Sequence, residues 1–374
     1  MTIPYARPYI TDEDVAAVEL VLRGQWLTTG PTVDRFEDAL TAVTSARYAV
    51  SVSSGTAALH ALYAGLGLRQ GMTLVVPALT FAATAYPALM LGASVLFADI
   101  DDRFLTLDPD AVDAIDLNVD VIAAVHYAGV PANVIRLRDT ATRKDATMIE
   151  DAAHAIGSSW EGEPCGSIGH AAAFSFHAVK TVTTGEGGAV TTDDEALAER
   201  VRRFRNHGIT RNRDDLVEPD AGDWHRELQS WGLNYRLTDL QAALGISQMR
   251  RLSATVAERR RLVERYNELF DNVEEVTTPS APAEASVAWH LYPLRVLDGR
   301  RGAVFDHLRN NGIGVQVHYL PVYRHPLFQE LGYRTGMCPV AERVYDELIS
   351  LPLYVGLTDA DQDRVVEEIL VAVS

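Results

Sequence analysis

A lysine stands at an unusual position in the stretch FSFHAVKTVTTGEGGAV, residues 174–190. Lys180 follows an apolar, aromatic run that is typical of a buried strand, and it precedes a threonine- and glycine-rich run that is typical of a turn. Most lysines lie on protein surfaces and need no such surroundings. An amine at the exit of a buried strand is suited to covalent chemistry, because burial lowers the pKa of an amine and leaves it nucleophilic.

A carboxylate and a histidine follow another predicted strand. Asp151 comes directly after the apolar run TMIE, and His154 follows in the sequence DAAH. Parallel sheets bind their ligands at the carboxyl ends of strands, so this position favours a functional acid. An aspartate after a strand is also common as an ordinary helix cap, and Asp151 taken singly fits both interpretations equally.

Hydroxyls and a glycine separate the predicted strand YAVSV from the helix that follows it. Residues 53–56, with the sequence SSGT, place backbone N–H groups at a helix start, where an anion such as a phosphate can bind. Simple capping of the helix by a serine explains the same residues. The stretch GLGLRQG, residues 65–71, has the wrong spacing for a dinucleotide fingerprint and follows a helix, which argues against a nicotinamide enzyme.

In combination, these groups indicate one cofactor. An amine, a carboxylate and an anion site are the three groups that pyridoxal phosphate requires. Lys180 would form a Schiff base with the cofactor, Asp151 would keep its pyridine nitrogen protonated, and residues 53–56 would hold its phosphate. The interval between Asp151 and Lys180 leaves room for the strand AAAFSF.

The elements that must position these residues alternate along the chain. From Arg47 onward, short β-branched runs alternate with helical stretches, which predicts βαβ units and a mainly parallel sheet covered on both faces. The alternation stops near Gln248, where a long Arg- and Glu-rich helical region begins. We therefore predict a large α/β domain over residues 1–248 and a smaller α+β domain over residues 249–374. The smaller domain is expected to contain strands in WHLYPLRVL and GIGVQVHY and two terminal helices.

Composition excludes several classes of protein. Hydrophobic residues make up 47% and charged residues 22% of the 374 residues, as in ordinary globular proteins. A formal net charge of -18 repels phosphate backbones, so no nucleic-acid partner is expected. Cys165 and Cys338 show neither a disulfide framework nor a metal-site spacing. The sequence has no apolar run approaching the ~20 residues of a membrane span and no signal-peptide core, which predicts a cytoplasmic protein without a membrane partner.

Motifs along nearly the whole chain resemble the DegT/DnrJ/EryC1/StrS family of nucleotide-sugar aminotransferases. They are SSGTAALHALYAGLG, VPALTFAATA, IEDAAHAIGS, FSFHAVK, TGEGGAVTTDD, FRNHGI, GLNYRLTDLQAALG and VQVHYLPVY. The resemblance implies a fold type I pyridoxal phosphate enzyme, similar to aspartate aminotransferase, with a large domain and a smaller C-terminal domain. It also implies a homodimer with shared active sites that transfers an amine from L-glutamate to a nucleotide-linked ketosugar.

The resemblance implies roles for individual residues. Lys180 would carry the cofactor and move the proton, and Asp151 would pair with the pyridine nitrogen. The other implied cofactor contacts are Gly55, Thr56 and Ser175 at the phosphate, Phe81 on the ring, His154 near the phenolic oxygen, and Asn234 from the neighbouring subunit. From the residues alone, Phe81 fits plain core and Asn234 fits a turn. Candidate substrate contacts are Arg7, Arg236, His318 and Tyr319, and Arg211 is a further candidate for a diphosphate.

Three segments narrow the expected substrate. HAVKTVTTGEGG, WGLNYRLTD and VQVHYLPVYRHP most resemble the branch of pseudaminic acid biosynthesis, which implies amination at C4 of a UDP-4-keto-6-deoxy-N-acetylhexosamine. Thr181 and Val130 depart from the family pattern at positions expected to shape the sugar side of the pocket, so another 4-keto or a 3-keto sugar stays open. The alternative enzyme is a ketosugar dehydratase or an aminocyclitol-forming relative on the same scaffold. Those dehydratases carry histidine in place of the lysine, and this chain retains Lys180. A non-catalytic regulator would have no need to keep Lys180, Asp151 and the anion site together.

Overall fold

A seven-stranded sheet forms the centre of the molecule, and the computed structural model describes residues 2–374. The strands before residue 250 are β1 (Tyr48–Val52), β2 (Thr73–Pro77), β3 (Ser94–Ala98), β4 (Val121–Val125), β5 (Thr147–Asp151), β6 (Ser159–Trp160), β7 (Glu163–Pro164), β8 (Ala171–Ser175), β9 (Gly188–Thr192), β10 (Ile209–Thr210) and β11 (Glu227–Leu228). The central sheet has the order β1-β9-β8-β5-β4-β2-β3, and within it only β9 runs antiparallel to its neighbours. The predicted, mainly parallel sheet is confirmed.

Helices precede, connect and follow these strands. They are α1 (Asp12–Leu22), α2 (Pro31–Thr44), α3 (Gly55–Gly65), α4 (Tyr86–Met90), α5 (Pro109–Asp113), α6 (Val134–Arg143), α7 (Glu195–Arg205) and α8 (Asp239–Arg250), with 3-10 turns at Ala82–Thr84, Tyr127–Gly129 and Arg213–Asp215. Both faces of the sheet are buried. Along β4, Val121 and Ala123 pack in the same cluster as α3, whereas Ile122 and Ala124 pack with residues of α6. Because successive side chains of a strand point to opposite faces, helices cover the sheet on both sides.

The chain after residue 250 builds a second, smaller layer. Its elements are α9 (Leu252–Leu269), β12 (Val276–Thr277), β13 (Ala285–Ser286), β14 (Tyr292–Val296), α10 (Arg301–Asn310), a 3-10 turn (Val322–Arg324), α11 (Pro326–Glu330), α12 (Pro339–Glu347), β15 (Leu348–Leu351) and α13 (Asp359–Val373). Strands β12, β14 and β15 form an antiparallel sheet, and β13 pairs with β6. Residues on both sides of position 248, such as Phe36 and Leu252, share one core cluster, and the domain boundary at 248/249 stays a prediction.

After residue 250 one predicted strand is wrong, and the strands β12, β13 and β15 are additional to the prediction. The segment GIGVQVHY forms only isolated bridges, from Ile313 to Ile3 and from Gln316 to Ser350. It runs beside the N-terminal residues, and within residues 2–374 its backbone pairs there only through the two hydrogen bonds of Ile3 with Gly312 and Gly314. The longest of these additional strands is β15, which follows α12 without a turn between them. The two terminal helices, α12 and α13, are confirmed.

The sheet brings the carboxyl ends of several strands to one edge. Strands β1 and β8 both run antiparallel to β9, so they are parallel to each other and to β5. Their carboxyl ends lie beside the start of α3 and the residues after β8.

Among residues 2–374, no helix has the length and apolar character needed to cross a lipid bilayer.

Candidate active site

A cavity of about 340 Å³ lies at this edge of the sheet. The predicted site residues that line it are Gly55, Thr56, Phe81, Asp151, His154, Ser175, Lys180, His318 and Tyr319. They come from the start of α3, the ends of β5 and β8, the loop after β2 and the segment before α11. The structure therefore gathers, in one place, residues that are spread over more than half of the chain.

Lys180 lies in the turn between β8 and β9. Its backbone N–H donates to the carbonyl of His177 at 2.9 Å, and its side chain keeps some exposure to the cavity. Burial lowers the pKa of the Lys180 amine from its usual 10.5 to about 7, and the charge of Asp151 partly offsets this shift. A large fraction of the amine is therefore unprotonated at neutral pH, as a nucleophile or a proton acceptor must be.

Asp151 ends β5, and its carboxylate is buried at the base of the cavity, with 5% of the residue exposed. Oδ2 accepts a hydrogen bond from Thr84 Oγ1 at 2.7 Å, and Oδ1 accepts one from the N–H of Ala153 at 3.2 Å. Burial raises the pKa of Asp151 above its usual value, and these two hydrogen bonds and the Lys180 amine counteract the rise. The carboxylate is thus held by fixed donors on the side of the cavity opposite to solvent.

The start of α3 forms a cradle for an anion. Ser54 caps the helix by accepting a hydrogen bond from the N–H of Ala57 at 3.1 Å, which confirms the capping interpretation. The N–H groups at the very start of a helix have no intrahelical partner, and the helix dipole favours negative charge there. A Cβ at Gly55 would lie 2.7 Å from the Cβ of Ser175, so glycine alone lets the Ser175 hydroxyl reach this helix end. Capping and anion binding are therefore compatible here.

His154 is held as a neutral donor. Its Nδ1 accepts the N–H of Ala128 at 3.3 Å, which leaves the proton on Nε2, 3.3 Å from the hydroxyl oxygen of Tyr319. Ala128 adopts a left-handed conformation, with φ 57 and ψ 5, that is uncommon for a residue other than glycine. Burial lowers the pKa of His154 well below 6.5, and the positive charge of Lys180 adds to this effect. The imidazole is thus able to donate a hydrogen bond to an oxygen in the cavity.

The upper wall of the cavity is aromatic and uncharged. The ring of Phe81 is 56% exposed and lies 5.7 Å from that of Tyr319, so Phe81 is not a core residue. His318 shares a 2.8 Å hydrogen bond between its Nδ1 and Ser350 Oγ, and burial lowers its pKa to about 4. Burial also raises the pKa of Tyr319 far above 10. These side chains offer an apolar face and neutral hydrogen-bonding groups.

Several predicted residues lie elsewhere in the same chain. Arg7 and Asn234 are exposed and do not line the cavity. Arg236 donates to Asn206 Oδ1 at 2.8 Å and, with Arg211, lines a second cavity of about 630 Å³. Their assignments to cofactor or substrate stay predictions, and within one subunit these residues do not join the lysine cavity.

The expectation for two further residues is wrong. Val130 packs in the core of the C-terminal layer, and Thr181 is buried without lining the cavity. Neither side chain lines the lysine cavity of this chain.

Sequence reasoning missed other lining residues. Tyr5 reaches the cavity because two backbone hydrogen bonds hold the nearby Ile3: its carbonyl accepts from the N–H of Gly314, and its N–H donates to the carbonyl of Gly312. The ring of Tyr5 lies 5.4 Å from that of His318. Thr84, His290, His177 and Glu186 also line the cavity. His177 and Glu186 belong to the lysine stretch 174–190, and Thr84 belongs to the motif VPALTFAATA, so the sequence contained a signal for these three residues. It contains no such signal for Tyr5 or His290.

A buried cluster beneath the site contains His126, Glu150 and Cys165, whose potential ligand atoms lie within 4.8 Å of one another. The Glu150 carboxylate accepts from His126 Nε2 at 2.9 Å and from the N–H groups of Gly166, Ile168 and Gly169. His126 Nδ1 accepts from Ala132. These hydrogen bonds occupy the carboxylate and the imidazole, so the cluster is explained as a support for the strand that ends in Asp151.

The residues present fit pyridoxal phosphate. The cradle at Gly55 and Ser175 suits a phosphate, the carboxylate of Asp151 suits a protonated ring nitrogen, and the exposed ring of Phe81 suits an aromatic face. The amine of Lys180 suits a covalent link to an aldehyde.

Comparisons with known proteins agree with this fit. A model of the DegT/DnrJ/EryC1/StrS aminotransferase family matches residues 8–370. The spore coat polysaccharide biosynthesis protein SpsC of Bacillus subtilis is 35% identical over 98% of this chain and 96% of its own length.

Solved structures are similar over the whole chain. The putative sugar aminotransferase Spr1654 from Streptococcus pneumoniae, in its PMP form, superimposes with a TM-score of 0.93, 28% identity and 99% of both chains covered. PseC of Helicobacter pylori, an aminotransferase of pseudaminic acid biosynthesis, has a TM-score of 0.93 at 29% identity, covering 100% of this chain and 99% of its own. The predicted fold type I architecture is thereby confirmed.

Proposed function

This chain belongs to the DegT/DnrJ/EryC1/StrS aminotransferase family and is a pyridoxal phosphate-dependent sugar aminotransferase, and on that premise we propose its specific reaction. It transfers the amine of L-glutamate to C4 of a UDP-linked 4-keto-6-deoxy-N-acetylhexosamine. The observation that carries the chemistry is the Lys180 amine, with a pKa of about 7, in one cavity with Asp151 and the cradle at the start of α3. The substrate assignment is supported by the segments that resemble the pseudaminic acid branch and by the likeness to PseC.

Each residue of the cavity has a defined task in this proposal. When bound, pyridoxal phosphate stores the amino group between the two half-reactions and accepts the electrons of the carbon that loses its proton. Lys180 takes up and returns that proton, a general acid/base role worth roughly 10²- to 10⁴-fold in rate. Asp151 stabilises a positive charge on the ring nitrogen. Gly55, Thr56 and Ser175 hold the phosphate.

Other residues orient the reactants. With the cofactor bound, the Nε2–H of neutral His154, now 3.3 Å from the Tyr319 hydroxyl, would be available to a phenolic oxygen, and the ring of Phe81 would shield the cofactor from water. His318 and Tyr319 are the contacts we propose for the sugar, because neutral donors and acceptors suit hydroxyl and carbonyl oxygens. Neither group needs to give up a charge when the sugar binds.

The second subunit completes the site. In the described part of the chain, no arginine lines the lysine cavity, yet glutamate carries two carboxylates and the nucleotide carries a diphosphate. Arginine is suited to such anions because it binds them bidentately. We propose that a homodimer supplies these cations, with Arg211 and Arg236 from the second cavity beside the partner's site and Asn234 on the partner's cofactor phosphate.

The surface of a single chain supports dimerisation. Several large apolar side chains outside the lysine cavity are exposed, among them Trp26, Trp224 and Trp231. Exposed aromatic residues of this size are enriched where proteins contact each other.

The two cysteines are unpaired, as is usual in reducing compartments, which supports the cytoplasm as the place of the reaction.

Product analysis tests the proposed reaction. The enzyme is incubated with ¹⁵N-labelled L-glutamate and a panel of nucleotide ketosugars, and NMR locates the new amine. We expect turnover with the UDP-4-keto-6-deoxy-N-acetylhexosamine and an amine at C4, with the Lys180→Ala variant as the inactive control. Turnover restricted to a 3-keto sugar, or an amine at C3, would contradict the C4 assignment and leave the aminotransferase function intact.

A further inference from the structure

Two threonine hydroxyls lie in line beneath the carboxylate of Asp151. Thr84 Oγ1 is 2.7 Å from Asp151 Oδ2, and Thr80 Oγ1 is 2.8 Å from Thr84 Oγ1. Thr84 is fully buried and Thr80 is 2% exposed. Solvent therefore does not compete for either hydroxyl.

The direction of this chain of hydrogen bonds is fixed by its end. An ionised carboxylate only accepts, so Thr84 must donate its single hydroxyl proton to Asp151. The Thr80 hydroxyl must then donate its proton to Thr84 Oγ1. Both protons point toward the carboxylate, and such consecutive hydrogen bonds strengthen one another at low dielectric.

The turn that carries Thr84 is itself held in place. The Thr84 N–H donates to the carbonyl of Phe81 at 3.0 Å, and its carbonyl accepts from the hydroxyl of Tyr63 at 2.7 Å. The same turn carries the Phe81 ring of the cavity wall. One short segment thus fixes both the ring wall and the donor to the carboxylate.

The hydrogen bond from Thr84 opposes the effect of burial on Asp151. Burial raises the pKa of this carboxyl group, and of the groups that lower it the Thr84 hydroxyl is the strongest. The titratable groups that face Asp151 from neighbouring elements are Lys180, His126, Tyr63 and Tyr319. Lys180 and His126 also favour the ionised carboxylate, whereas burial keeps both tyrosines uncharged.

We propose that Thr84 is a positioning residue that keeps Asp151 ionised and aimed at the ring nitrogen of the cofactor, with Thr80 holding the Thr84 proton in place. The inference rests on the proposed role of Asp151. It assigns to the Thr84 hydroxyl a function that is exerted through Asp151.

Four variants of the holoenzyme test this assignment. Thr84→Val removes the hydroxyl at nearly constant volume, Thr84→Ser restores it, Thr80→Val removes the second donor, and Asp151→Asn is the reference. The measurements are the single-turnover rate with L-glutamate at saturating cofactor, the pH midpoint of the absorbance of the bound cofactor, and the melting temperature.

We expect Thr84→Val to slow the glutamate half-reaction roughly 10- to 100-fold, because the loss of a hydrogen bond to a charged group has a cost of that size. The absorbance midpoint should rise, because a less positive ring nitrogen repels a proton on the Lys180–cofactor link less strongly. Thr84→Ser should recover both values, and Thr80→Val should give a smaller change in the same direction.

Two outcomes would overturn the inference. The first is a Thr84→Val enzyme with the rate and midpoint of the unmodified enzyme while Asp151→Asn is impaired. The second is an equal loss of rate in Thr84→Val and Thr84→Ser with a lowered melting temperature and an unchanged midpoint, which means a packing role. If Asp151→Asn itself is unimpaired, the role of Asp151 fails first and the inference fails with it.

Discussion

Gly55 and Ser175 meet at a distance that only glycine allows, since a Cβ at Gly55 would lie 2.7 Å from the Cβ of Ser175 and 3.0 Å from its Oγ. The start of α3 and the end of β8 are thereby joined into one wall of the cavity. Both residues come from motifs that are far apart in the sequence. The close approach brings the backbone N–H groups of the helix start and a hydroxyl to the same place, as the proposed phosphate cradle requires.

Replacement of Gly55 should therefore weaken cofactor binding. The Gly55→Ala variant must push Ser175 or the helix start aside, and we expect its dissociation constant for pyridoxal phosphate to rise about 10-fold or more, as the loss of a charge-assisted contact would cause. Equilibrium dialysis measures this directly. Gly302→Ala is the matched control, because a Cβ at that helical position meets no atom within 4 Å, and it should bind the cofactor normally. Equal affinity in both variants would contradict the cradle.

Lys180 should be the residue that links to the cofactor. Borohydride reduction of the holoenzyme followed by peptide mapping is expected to place the pyridoxyl group on Lys180, because burial leaves its amine nucleophilic at neutral pH. The Lys180→Ala variant should still bind the cofactor through the cradle and Asp151, yet lose turnover by about 10²-fold or more, since the proton carrier is absent. Label on Lys144, which lies outside the cavity, would show that the assignment is wrong.

The association of the apoenzyme with pyridoxal phosphate should depend on pH through Lys180. The amine must be unprotonated to attack the aldehyde, and its pKa of about 7 predicts a rate that rises through neutral pH and levels off above it. The Asp151 carboxylate raises this pKa, so in Asp151→Asn the midpoint should move to lower pH. Stopped-flow absorbance gives both midpoints. A midpoint near 10 in the unmodified enzyme would mean that the amine is solvated.

The strand ends of the site could be predicted from the sequence, because alternation of strands and helices fixes which residues lie at the carboxyl edge of a parallel sheet. Asp151 and Lys180 follow from this rule, whereas Ser175 was implied only by the family resemblance. Tyr5 and His290 could not be found, since they reach the cavity from distant segments whose approach depends on tertiary packing. The same limit explains the wrong strand over 312–319, which forms only single bridges, to Ile3 of the N-terminal segment and to Ser350 of β15.

The sequence pattern also does not predict that the second cavity lies apart from the lysine cavity. The FRNHGI and GLNYR motifs contribute Asn206 and Arg236 to one surface, away from Lys180. Their spacing along the chain gives no sign that they lie on a different face from the lysine. The homodimer with shared active sites that we propose would account for this separation.

Hybrid enzymes test whether Asn234 serves the neighbouring subunit. Lys180→Ala and Asn234→Ala are each expected to be impaired as homodimers. In a hybrid of the two, one site lacks both groups and the other lacks neither, so activity should return to roughly half of that of the unmodified dimer.

A hybrid of Lys180→Ala with Asp151→Asn is the matched control for this experiment. Lys180 and Asp151 line the same cavity of one chain, so each site of that hybrid keeps one lesion and activity should not return. Differently tagged subunits, purified over both tags, ensure that only hybrids are assayed. If the hybrid with Asn234→Ala stays as inactive as this control, Asn234 acts within its own subunit.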